Sequence, residues 1–197
     1  MSWFLVSKEN TLQPPDGTYR DWKLILRAEG RSQCVYCAIG EYYFGGYRNY
    51  HVEHYRPKRK FPALTNIIRN LFYSCSICNA FKGSDWPNEP DDEFALAFYP
   101  DPSAVDYGAI FQVSPVSHVV AGTNTASSYV VERLFLNRPQ LILHRRLLAV
   151  KKRMRALLDA DPLRSATGTL GAVVNLARHS VDEAEVPPYE PGQIERP

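Results

Sequence analysis

Cys75-Ser76-Ile77-Cys78-Asn79-Ala80-Phe81-Lys82-Gly83 decides the reading of this chain, because Cys34-Val35-Tyr36-Cys37 answers it upstream. The two CxxC pairs use all 4 cysteines of the 197 residues. The other readings are a redox motif, which accounts for one such pair but not for both, and buried free thiols. Two CxxC knuckles supply four thiolates on tight turns, which is what a tetrahedral structural zinc site requires. The spacer between Cys37 and Cys75 exceeds that of the simplest zinc ribbon, so a subdomain is expected between the knuckles. A closed site of this kind holds a fold together and performs no chemistry.

Working outward, His51-Val52-Glu53-His54 reads as a short strand stopped by Pro57. A helix is expected to start near Cys78-Asn79, and Asn66 to Tyr73 reads as an ordered loop entering the second knuckle. A strand end thus delivers a carboxylate beside an imidazole, and a helix start delivers an amide oxygen. Glu53 and Asn79 are candidate ligands of one hard divalent cation, leaving most of its positions to water and phosphate. An imidazole with a pKa near ~6.5 takes a proton from attacking water at neutral pH, the role expected of His54. His51, two residues before Glu53, shares its face on a strand. It is read as a group that supports the metal ligands from behind, a phosphate contact, a third ligand or a plain surface residue.

This pattern resembles the HNH nuclease motif, the ββα-metal finger, in a cysteine-stapled form. In that family an acidic metal ligand precedes the catalytic histidine, as Glu53 precedes His54. The middle asparagine ties the loop together by hydrogen bonds and matches Asn70; the last position, after the second knuckle, matches Asn79. The chain is therefore H-N-N rather than H-N-H, a departure that favours Mg or Mn over Zn or Ni at the active site. His51 to Lys58, Asn70 to Cys75, Cys78 to Gly83 and Val131 to Arg138, with Leu141 and Arg145, are similar to HNH nucleases of Septu-type and retron-associated phage-defence systems. The resemblance covers most of residues 20–155. It implies cleavage of DNA phosphodiester bonds, with RNA, including tRNA, as the alternative substrate, since a finger acting on backbone phosphate does not read the sugar. It also implies an ATPase partner, which would be a separate protein because the chain has no GxxxxGK[ST]. A catalytically inactive zinc-stapled nucleic-acid-binding module is the reading from a different class.

The implied fold is α+β, a zinc-stapled ββα finger surrounded by helices. Its expected organisation is an N-terminal helical segment (1–30), the zinc-stapled core (31–90), a mostly helical C-terminal region (91–180) and a flexible tail (181–197). Helices are expected over Tyr19–Ala28, Tyr129–Phe135, Gln140–Ala160 and Thr169–His179. Glu41 to Asn49 reads as a strand or hairpin flank, and Phe111–Val113 and Ser117–Ala121 as short strands. Asp85 to Asp106 should be mostly loop.

The formal net charge is only +2. Its distribution is more informative: Arg56, Lys58, Arg59 and Lys60 follow the His51–His54 strand, with Arg48, Arg69 and Lys82 nearby. Arg56, Lys58 and Lys82 are candidate phosphate contacts, though for Lys82 a solvated role is an equal reading. The basic run from Arg145 to Arg155 is either a solvated helix face or a contact for nucleic acid or a partner. No apolar stretch approaches the ~18 residues of a membrane helix, and the first residues make a poor signal peptide. The expected compartment is the reducing cytoplasm.

Overall fold

The computed structural model describes residues 3–8 and 17–160. Helix α1, Lys23–Glu29, precedes strands β1, Tyr50–His54, and β2, Leu71–Cys75. Helix α2, Ser76–Lys82, follows β2 directly. The one-turn helix α3, Tyr107–Ile110, then leads to β3, Phe111–Val113, β4, Val120–Gly122, and the helices α4, Thr125–Arg133, and α5, Pro139–Ala160. The class is α+β, with two small antiparallel sheets, β1-β2 and β3-β4. The readings of Thr169–His179 as a helix and of residues 181–197 as a tail lie outside the described residues.

β1 and β2 pair in the register Tyr50↔Cys75, Val52↔Tyr73 and His54↔Leu71. All five residues of β2 are buried. One side of this hairpin is covered by α1, which buries Leu26, with Trp22 buried at its N-cap, and which ends at Gly30, whose N–H reaches the Leu26 carbonyl. A Cβ at Gly30 would lie 3.2 Å from Cβ of Tyr73, so glycine lets the helix end sit close on β2. Cys75 closes the strand and opens α2 as its N-cap, its Sγ accepting from the Cys78 N–H.

Glu41 to Asn49 is not extended as expected: it forms two 3-10 turns, Glu41–Phe44 and Tyr47–Asn49. Gly45 and Gly46 between them have φ of +71° and +75°, which a strand cannot accommodate. β2 starts at Leu71, inside the stretch expected to be loop. Asp85 to Asp106 has no regular element, and Asp85 at its start accepts from Tyr99 within it and from Tyr129 and Arg133 of α4. α4 starts four residues earlier than expected because Asn124 and Ser127 form a capping box. Over residues 91–124 the single turn of α3 is the only helix, beside strands β3 and β4, so among the described residues helix dominates over 125–160.

One cluster of buried side chains runs from Trp3 through the cysteines to Leu141. Among the described residues no helix is long and apolar enough to cross a membrane.

Candidate functional site

The four cysteine sulfurs lie within 4.8 Å of one another and are all buried. A tetrahedral ion with Zn–S bonds of ~2.3 Å would hold its sulfurs about 3.8 Å apart, and Sγ of Cys37 and Cys75 are 3.8 Å apart. The donor set therefore fits a structural zinc ion. The first knuckle turns at Ala38 (φ +53°), with the Ala38 N–H on the Cys34 carbonyl. Burial together with neighbouring sulfurs pushes the Cys37 thiol up, because sulfurs this close cannot all carry charge without a cation among them. Arg138 adds a positive charge from the approach to α5. Its Nη2 lies 3.7–3.9 Å from Sγ of Cys37, Cys75 and Cys78, and its Nη1 donates to the Leu134 carbonyl that ends α4.

The same strand–helix junction positions Glu53. Asn79 and Lys82 stand three residues apart on α2, so both side chains leave one face of the helix and meet the carboxylate of β1. Asn79 Nδ2 lies 2.6 Å from Glu53 Oε2, and Lys82 Nζ lies 2.7 Å from Oε1. The Tyr36 hydroxyl donates to Oε1 at 3.2 Å. Burial raises the Glu53 carboxyl above the usual range, while Lys82 opposes the shift. Turned over, the Asn79 amide would present its oxygen beside Oε2, and the two side chains would then offer two hard oxygens to one cation.

His54, at the end of β1, is oriented by the loop that follows. Its Nε2 lies 3.0 Å from the Thr65 carbonyl oxygen. A carbonyl only accepts, so Nε2 carries the proton and Nδ1 carries the lone pair. The Tyr19 ring stands edge-on to the imidazole at 4.7 Å. Burial holds His54 below the ordinary imidazole value, with the Thr65 contact acting against it and Lys58 and Lys82 adding to it. Asn70 accepts from the Arg56 N–H at 2.8 Å and donates to the carbonyls of Arg56 and Leu64 at 3.0 and 3.2 Å. It therefore joins both ends of the loop that presents Thr65.

Glu53, His54 and Asn79 face a cleft of about 760 Å³ between α1, β1 and the start of the β1–β2 loop. Its walls carry five basic side chains, Arg20, Lys23, Arg48, Lys58 and Arg59, against the single carboxyl of Glu53. His51 also lines the cleft and is exposed. The electrostatics thus suit a polyanion or a phosphate group.

No protein-family model, curated protein or solved structure matches the chain.

The structure separates the sequence candidates. His51, Glu53, His54, Lys58 and Asn79 share the cleft. Two of the basic candidates are placed elsewhere. Arg56 turns away to pair with Glu89 at 2.7 Å and to cover the Trp86 ring. Lys82 is wholly buried, its ammonium held by Glu53 and the His54 carbonyl, so it does not reach toward a phosphate in the opening. Conversely, Tyr19, Arg20 and Lys23 stand across from His54 without a motif to mark them. Their signal in the sequence was weak: a helix start with two cations beside an aromatic residue, far from the CxxC pairs.

Proposed function

We propose that this chain is a divalent-cation-dependent HNH-type endonuclease that hydrolyses DNA phosphodiester bonds. The observation that supports it best is the pairing of His54 with Thr65 at the floor of a cationic cleft, beside a carboxylate and a carboxamide. In this reading the water oxygen bonds to phosphorus, its proton goes to Nδ1 of His54, and the bond to the 3′ oxygen breaks with its electron pair on that oxygen, which takes a proton from solvent water. Lys58, Arg59, Arg20 and Arg48 hold the flanking phosphates and keep the backbone in register over His54. Glu53 and Asn79 would hold one Mg or Mn ion, which when bound supplies positive charge against the phosphate and the leaving oxygen. Tyr36 and Lys82 aim the Glu53 carboxyl and favour its ionised form against the effect of burial. The finger resemblance, with the strands and helix in ββα order, supports the same assignment. The longer phrases, with Val131 to Arg138 among them, support a role as the effector of an anti-phage system whose ATPase is a separate subunit, with weak activity until that partner engages.

A second reading has its own observation. Lys82 already neutralises Glu53, which lowers the need for a metal and suits a zinc-stapled module that binds nucleic acid without cutting it. Nicking of supercoiled plasmid in Mg or Mn, with a tRNA substrate in parallel, separates the readings. His54→Ala should abolish nicking, at least 100-fold, while leaving DNA retention unchanged. Cleavage retained by the variant would sink the assignment of His54. A wild-type chain that binds but cuts neither substrate, with or without its ATPase, would favour the binding module.

A further inference from the structure

α5 presents two faces of opposite destiny. Leu141, His144 and Arg145 turn inward and are buried. On the other side Leu143, Leu147, Val150, Met154 and Leu157 are all exposed, between 43% and 66%. Single exposed apolar residues are ordinary, but these five follow one another in steps of four, three, four and three. The mean step of 3.5 is the heptad spacing of a coiled-coil seam, which keeps one narrow stripe facing a partner helix. From Leu143 to Leu157 the stripe runs about 21 Å along the helix. It is two residues wide per seven and contains no aromatic side chain, unlike the broad, aromatic-anchored face of a helix that lies on lipid.

The residues beside the seam choose the occupant. With Leu147 and Met154 at a and Leu143, Val150 and Leu157 at d, the g positions are Arg146 and Arg153 and an e position is Lys151. A second copy packed in parallel would set Arg146 against Lys151. An antiparallel copy would set Arg146 against Arg153 and Lys151 against itself. Both arrangements juxtapose like charges, which e and g positions use to reject a partner. We propose that the outer stripe of α5 is the docking seam for an acidic amphipathic helix of another protein, with aliphatic residues at its a and d positions and Asp or Glu at e and g. This inference does not depend on the nuclease reading.

The test uses the full chain and two synthetic three-heptad helices, both with Leu at a and d, one with Glu and one with Lys at e and g. Fluorescence anisotropy should show the Glu helix binding at least tenfold more tightly than the Lys helix. Leu147→Gln with Met154→Gln, both at exposed positions, should weaken it at least tenfold with the circular dichroism of the chain unchanged. A chain carrying Arg146→Glu, Lys151→Glu and Arg153→Glu should reverse the preference, which keeps the idea testable if the first variant folds poorly. Equal binding of the two helices would overturn it. So would sedimentation showing a dimer dispersed by the Leu147→Gln, Met154→Gln variant, or loss of DNA or anionic-vesicle binding in that variant without any Glu-helix binding by the wild type.

Discussion

His54 and Thr65 are joined by a hydrogen bond in which the imidazole Nε2–H donates to the Thr65 carbonyl, 3.0 Å away. The partner is a backbone group in a loop, so the tautomer of His54 depends on whatever fixes that loop. Asn70 does this through three hydrogen bonds, one accepted from Arg56 and two donated to Arg56 and Leu64.

Asn70→Ala should therefore affect a histidine it does not touch. The substitution leaves buried backbone groups without partners, and about 2–3 kcal/mol of stability should be lost in urea unfolding. The ¹⁵N spectrum of the imidazole should change from a single Nε2–H tautomer to a mixture. Asn70→Asp keeps the acceptor for the Arg56 N–H and should preserve more of the tautomer than alanine does. An unchanged ring spectrum in Asn70→Ala would break the proposed link.

Lys82 and Glu53 form a buried ion pair, and removing one partner should cost more than removing both. Lys82→Met strands the Glu53 carboxylate and should destabilise the chain by about 3–5 kcal/mol. Adding Glu53→Gln removes the stranded charge, so the double variant should recover much of that loss. A denaturant series on the four proteins of this cycle measures the coupling; additive effects would mean that the pair contributes nothing specific.

The legible parts of this molecule are those written in local sequence. The CxxC pairs foretold a cysteine cluster because thiol spacing is a local property, and His51 to His54 reads as a strand because Pro57 stops it. β2 was hidden because Leu71 to Cys75 is buried on both faces and shows no alternation. The turns at Glu41–Asn49 were misread because aromatic residues suggest a strand, whereas Gly45 and Gly46 take up left-handed conformations there. Lys82 looked like a solvent-facing lysine, since nothing adjacent reveals that Glu53, 29 residues earlier, is its partner. Arg20 and Lys23 are brought to the cleft, and Arg138 to the sulfurs, only by tertiary packing.

The cleft walls should set the salt dependence of DNA binding. Arg20→Gln, Arg48→Gln and Arg59→Gln should each reduce the slope of log K against log salt by about 0.9 on duplex DNA, the loss of one phosphate contact. Arg56→Gln should leave the slope unchanged, because Arg56 is turned toward Glu89 and Trp86. An Arg56 effect equal to that of Arg48 would show that the cleft is not the track of the backbone.

Metal analysis of the purified chain should find one zinc per chain, and its removal by a chelator should unfold the β1–β2 hairpin with α2. Arg138 faces three of the four sulfurs, so it should stabilise the net negative charge that four thiolates leave around a divalent ion. Arg138→Met should release zinc about 10–100-fold more readily in a competition with a chromogenic chelator. Arg138→Lys keeps the charge without the planar fork and should fall between the two. Identical release rates in all three proteins would confine Arg138 to capping α4.

His144 makes a prediction about acid stability. It is buried on the inner face of α5 against the Tyr43 ring, and burial, with the charges of Arg145 and Lys151, pushes its pKa down to about 4. The unfolded chain takes up this proton near pH ~6.5, whereas the folded chain resists it until about pH 4. Between those values the unfolded state binds more protons, so stability falls as the pH falls. The contribution of His144 is complete above the unfolded value and is lost progressively down to the folded one. His144→Gln cannot titrate. The difference in unfolding free energy between wild type and His144→Gln should be constant above pH 7 and should shift against wild type on acidification to pH 4. Parallel curves across that range would show that His144 titrates alike in the folded and unfolded chain, as a ring free to turn into solvent would.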